Sequence, residues 1–380
     1  MNKSSEQNRI QREQRKTAVA AVLALILLMA AALVWHYRDR FSRDRLVTVV
    51  QTLSGSEYEG SEAFTYDSGS NQIFARCGEG LAIATGSGFE LLDGDGLPVA
   101  GKITGLESPA VTTGDDRAVF YSIGSSTLYV ADMDGTVSSL EADGPVISAD
   151  LSDSGHLTVV CETSGYRAAV CVYDSALFLS YRWSSASAWV SDARVSPDGR
   201  RLAVLSYTAE GSEVRLFLLS RDELINTFSV SGKVLFRLHW FSGSALCCFD
   251  SSEVLFFSSS GQWTGTYGFG DLYLTDLCTD GSGFVCLALS PYLSGSSGTL
   301  VTLNASGDEL GTAAYDSELL SLTAYGSEVA ELCSDGLTLR SSSLNEKAHT
   351  SDTAGFRRVY LRARGEALLV GPTSAEVFRF

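Results

Sequence analysis

Lysine nearly vanishes from this 380-residue chain after its first 45 residues, where only Lys102, Lys233 and Lys347 remain. Those first 45 hold nine of the 28 Lys and Arg but only four of the 45 Asp and Glu, so the formal charge of -17 understates how acidic the rest is. A surface of that sign repels phosphate backbones, which argues against a nucleic-acid partner and for solubility or basic partners. Histidine is almost as scarce: His36, His156, His239 and His349 are the whole set, and none stands in an HExxH or HxxxH arrangement. None of the eight cysteines falls in a CxxC pair, so no metal site is expected. There is no GxSxG elbow for a serine hydrolase, and no GxGxxG followed by a helix for a dinucleotide. Asp and Glu are so numerous that a glycosidase pair could be chosen anywhere by chance. No catalytic residue is assigned.

Long apolar runs are also missing, with one exception. Thr17 to Trp35 reads TAVAAVLALILLMAAALVW, 19 residues without a charge. As a helix rising about 1.5 Å per residue it nearly matches a hydrocarbon core of roughly 30 Å. A cleaved signal peptide is the competing reading, with Ala30 and Ala32 at the cut, but the run exceeds a signal-peptide core and continues through Leu33, Val34 and Trp35. The basic residues are split almost evenly between the two flanks, so orientation rests on the layout, a short basic leader before a first helix. The expected order is a basic cytoplasmic tail (1–16), a single transmembrane helix (17–35), a juxtamembrane linker (36–45) and an extracytoplasmic domain (46–380) held at the cell membrane.

Nothing after Arg45 carries the period of a long amphipathic helix. Short apolar runs alternate instead with clusters of Gly, Ser, Asp and Asn, which is all-β punctuation. Turn clusters at Cys77 to Gly80, Thr113 to Asp116, Ser152 to Gly155, Ser196 to Gly199, Ser242 to Ser244, Asp280 to Gly283, Tyr325 to Ser327 and Arg364 to Gly365 recur at about 36 to 46 residues, the length of one four-stranded propeller blade. A second class, at Asp93 to Gly96, Asp132 to Gly135, Ser258 to Gly261 and Asn304 to Gly307, falls between third and fourth strands and has the chemistry of tight hairpins. The fold expected is an all-β propeller of about eight blades, or seven if the unit near residues 318–349 is irregular. The last unit shows only three strands before Phe380. Leu46 to Leu53 is the apparent spare strand that would complete it and remove the sheet edges. Cys161 and Cys171 flank one hairpin turn, as do Cys278 and Cys286; disulfides and plain buried thiols are both open for these pairs.

Between Val146 and Glu223 the chain reads ISADLSDSGHLTVVCETSGYRAAVCVYD, then FLSYRW, then VSDARVSPDGRRLAVLSY. This order resembles a family of membrane-anchored β-propellers of unknown function from Clostridia and related Gram-positive bacteria. Ser152 to Tyr207 is its most specific stretch. The resemblance implies a bacterial cell-surface propeller, and it supplies no functional residue. Quinone-cofactor propellers are a looser analogy: they repeat tryptophan docking motifs, whereas only Trp183, Trp189, Trp240 and Trp263 lie beyond the apolar span. No cofactor is expected.

What remains is a set of aromatics at expected loop positions. Tyr181, Arg182, Trp183 and Trp189 flank one blade-to-blade connection, and Tyr207 and Tyr292 border or occupy the two longest internal loops. In a propeller those loops emerge on one face, and aromatics with Arg are enriched where proteins bind. Packing between blades is the ordinary alternative for Trp183 and Trp189. These six are the candidate binding residues of a non-enzymatic module for an extracytoplasmic protein or wall polymer. The alternative is a cell-wall glycan hydrolase or lyase with carboxylates still to be identified.

Overall fold

The computed structural model describes residues 63–69, 71–241 and 243–380. The spare strand Leu46 to Leu53, the apolar span Thr17 to Trp35 and the flanking tail and linker lie outside those residues. Among the described residues no helix is long and apolar enough to cross a membrane.

Eight four-stranded antiparallel sheets form the blades of a propeller. Blades 1 to 7 are built from consecutive strands within residues 73–103, 109–141, 146–185, 189–231, 237–268, 273–315 and 319–350. The first strand of each blade is innermost and meets the first strand of the next. Second and third strands are sandwiched between neighbouring blades, so they read as unbroken apolar runs: Phe284–Ser290 is buried at every position. Outer strands alternate, as in Glu223–Ser231, because one side faces solvent. Eight separate apolar cores result, one in each interface between adjacent blades.

Third-to-fourth-strand turns follow their sequence chemistry. The Asp93 carboxylate accepts from the backbone N–H groups of Asp95 at 3.0 Å and Leu97 at 2.8 Å, and Asn304 repeats the pattern with Ser306 and Asp308. Residues 319–350 form a regular blade, so the count is eight.

Blade 8 combines Arg358–Ala363, Glu366–Val370 and Ser374–Arg379 with a strand from the other end of the chain. That strand is Ala63–Thr65, where the sequence pointed to Leu46 to Leu53; Phe64 lies opposite Ala375. The physical reason is packing. Phe64 is wholly buried with Leu81, Leu92, Leu368 and Ala375, and the Tyr66 hydroxyl donates to the Gly371 carbonyl at 2.9 Å. Gly96, with φ +78°, turns directly beneath Phe64, where a Cβ would lie 3.0 Å from its ring. Across the same seam the buried Arg362 donates to the carbonyls of Gly94 at 2.6 Å and Glu79 at 3.2 Å and pairs with Glu366.

All eight cysteines are buried free thiols. Cys278 lies directly across from Cys286, whereas Cys161 faces Ala169 and Cys171 faces Val159.

Candidate functional site

Strand direction alternates within each blade, so the blade-to-blade connections and the second-to-third-strand loops emerge together on one face, called here the loop face. First-to-second and third-to-fourth turns occupy the opposite, turn face.

The six sequence candidates do not form one cluster. Along the outer strand Leu179–Ser185, alternate residues point to opposite sides. Tyr181 and Trp183 turn toward blade 4, their rings 5.9 and 5.5 Å from Phe217, and Tyr181 is 7% exposed. Arg215 covers the Trp183 ring at 5.3 Å. Arg182, between them, points the other way and pairs with Asp143 at 2.9 Å. The Tyr207 hydroxyl donates to the Leu235 carbonyl at 2.7 Å and ties down the connection to blade 5. These four serve the scaffold. Trp189 and Tyr292 stand on the loop face, 52% and 59% exposed, and Arg167 from the neighbouring blade lies 4.9 Å above the Trp189 ring.

Around them lie residues that the sequence reading missed. Val234 and Phe236, in the connection from blade 4 to blade 5, are exposed, as are Tyr273 at the start of blade 6 and Leu293 beside Tyr292. Backbone bonds hold this sector together. Phe236 N–H donates to the Phe249 carbonyl at 2.9 Å, Tyr273 pairs with Ser290, and the Ser290 hydroxyl accepts from Tyr292 N–H at 3.0 Å. Farther along that loop, Leu319 N–H donates to the Gly295 carbonyl at 3.2 Å and links blade 6 to blade 7. Four exposed acids, Glu210, Asp271, Asp316 and Glu318, lie in the loops and connections of the same sector, and their carboxylates have no hydrogen bond or ion pair to another described residue. Its one lysine, Lys233, is already paired with Glu253 at 3.0 Å. A sequence signal existed for part of this: KVLF and PYLSG place apolar side chains inside connections, where burial is not available to all of them.

The large cavity is elsewhere. A space of about 1100 Å³ occupies the central channel, lined mainly by inner strands and turn-face turns, with no residue of a blade-to-blade connection in its wall. Arg194 pairs with Asp150 at 2.8 Å and with Asp192 at 3.1 Å, and Asp192 also accepts from Leu238 N–H at 3.0 Å. The trio therefore straps blades 3, 4 and 5 together. Burial raises the pKa values of Asp150, Asp276 and Asp280 and lowers that of Arg237, whose charge the neighbouring Arg194 disfavours further. Asp280 is surrounded by protein while its carboxylate still meets channel solvent. His239 is pushed down to about 3 by burial and then by Arg194 and Arg237, so it is a neutral imidazole at neutral pH. No group of three or more metal-ligating side chains occurs among the described residues.

A model of a family of unknown function, DUF5711, matches residues 52–351, which takes in blades 1 to 7. The chain belongs to this family. No curated protein matches the sequence of this DUF5711 member. Solved structures match its fold. BamB from Moraxella catarrhalis is 14% identical with a TM-score of 0.54, and the C-terminal WD40 domain of Sif2 is 10% identical with a TM-score of 0.58. Each comparison covers 84% of this chain and 98% of the other. Hydrazine synthase from Kuenenia stuttgartiensis is 13% identical with a TM-score of 0.50, covering 73% of this chain and 97% of that one. At such identities the likeness is one of fold alone.

Proposed function

We propose that this DUF5711 propeller is a non-enzymatic binding module that works through the loop-face sector of blades 3 to 6 and is held at a bacterial cell membrane by Thr17 to Trp35, with the propeller outside. The observation that carries the reading is the uneven distribution of exposed apolar side chains. Trp189, Val234, Phe236, Tyr273, Tyr292 and Leu293 come from consecutive blades and include most of the exposed aromatics of that face, and Tyr166 on blade 3 adjoins them. Blades 1 and 2 add only the aliphatic Ile73, Ile103 and Ile123, and among the described residues blades 7 and 8 expose no large apolar side chain there. Clustered exposed aromatics mark an interaction surface, since covering a half-exposed side chain of this size recovers about 1 kcal/mol. Exposed aromatic side chains on the loop face, away from the channel cavity, suit a macromolecule better than a small substrate.

The test is a photo-crosslinking amino acid placed at Tyr292 in intact cells, with the same group at Trp263 on an outer strand as control. A discrete protein adduct is expected at Tyr292 and not at Trp263. Trp189→Ala should reduce its yield, with a loss of about 1–2 kcal/mol or more in affinity if the residue is an anchor. Trp183→Ala should instead lower the melting temperature. Equal adducts at both positions, or turnover of wall glycan by the purified protein, would sink the reading.

A further inference from the structure

Resting on that reading, we propose that the partner presents a basic protein segment with an apolar centre: large apolar side chains that pack on the exposed residues from Trp189 to Tyr292, flanked by lysines or arginines. The sector's own charges point to this chemistry. Glu210 lies in the blade 4 loop whose strand carries Tyr207, directly paired with Trp189. Asp271 precedes Tyr273 in the connection from blade 5 to blade 6, and Asp316 and Glu318 occupy the next connection, to which the Tyr292 loop is hydrogen-bonded through Gly295. The apolar centre is therefore fringed by four carboxylates that no described side chain neutralises. Of the cations nearby, Lys233 is paired with Glu253, Arg167 keeps its charge but lies over the Trp189 ring, and Arg237 lines the channel.

Complementarity follows directly. A partner cation approaching this rim gains both attraction and the release of repulsion among like charges, while an acidic or phosphate-bearing surface meets uncompensated carboxylates. The same field speaks against a phosphate-rich wall polymer or an anionic lipid surface. A protein segment supplies both the apolar centre and the basic flanks.

The experiment uses the full-length protein in detergent micelles and three fluorescent 14-residue peptides. The first has Lys flanks around a Trp-Leu-Leu centre, the second has Glu flanks around the same centre, and the third has Lys flanks around Gly and Ser. The first should bind about tenfold or more tighter than either other, with affinity falling as salt rises because exposed charges are screened. Asp271→Lys combined with Glu318→Lys should weaken it about tenfold, whereas the same charge change on the turn face, Asp95→Lys with Asp115→Lys, should alter it less than about twofold. Equal loss from both double variants would mean attraction to net charge only and would overturn the proposal, as would tighter binding of the Glu-flanked peptide, of an isolated anionic wall polymer or of vesicles rich in anionic lipid. If the Tyr292 crosslink forms while the Lys-flanked peptide fails, the surface stands and its basic partner falls. Absence of that crosslink removes the surface itself.

Discussion

His239 is held neutral by its position in the channel wall, where burial and the guanidinium groups of Arg194 and Arg237 oppose a further positive charge. In the unfolded chain it regains the ordinary value of 6.5, against about 3 when folded. Below pH 6.5 the unfolded state therefore takes up a proton that the folded state refuses, and this residue's contribution falls as pH drops toward 3. Asp150, Asp276 and Asp280 act in the opposite sense, because their raised values let the folded state take up protons first. A comparison with His239→Gln isolates the histidine. Urea midpoints between about pH 7 and pH 4 should show the wild type losing stability relative to the variant as pH falls; a difference constant with pH would show that the folded imidazole titrates freely. Trp183 and Trp189 teach a related lesson about legibility. Both flank one connection in the sequence, but strand parity turns the first onto Phe217, and a register shift between Val190 and Asp192 follows the second. Residue type and loop proximity were readable. Which side of a strand a ring faces was not, because a single bulge resets the alternation.

Blade 8 is where one element decides whether the ring closes. Phe64 reaches the interface with blade 1 from a strand of three residues, and the next residue, Thr65, is exposed. Phe64→Ala should cost about 3–5 kcal/mol, a large share of a stability of roughly 5–15 kcal/mol, whereas Ile103→Ala on an exposed outer strand should cost almost nothing. Guanidinium unfolding of the two variants gives the comparison, and similar midpoints would show that closure does not depend on this side chain. So short a strand carries no period, which is why the longer apolar run Leu46 to Leu53 looked the better closing element. Blade 7 looked weak for a different reason. Glu328, Glu331 and Arg340 sit in its two central strands and interrupt the apolar pattern, but Arg340 pairs with Glu331 at 2.6 Å and Lys347 with Glu328 at 2.7 Å. Hairpin chemistry was legible throughout, since Asp93 and Asn304 form the same local bonds in any tight turn.

For the molecule as a whole, the proposed topology predicts that protease added to intact cells reaches the propeller and leaves residues 1–16 protected; an undigested propeller, or one released into the medium, would refute it. Ring closure gives that arrangement a mechanical side. Whatever pulls on the chain ahead of Ala63 loads blade 8 first, at the outermost strand, through a three-residue ladder against Ser374–Arg379 and one phenylalanine in its pocket. The other blades carry the same load through that seam, but on longer ladders between consecutive strands. The joint that completes the ring is thus also its mechanical fuse: under tension the propeller should yield by shedding Ala63–Thr65, at a force set by a few hydrogen bonds, before any blade of consecutive strands begins to open.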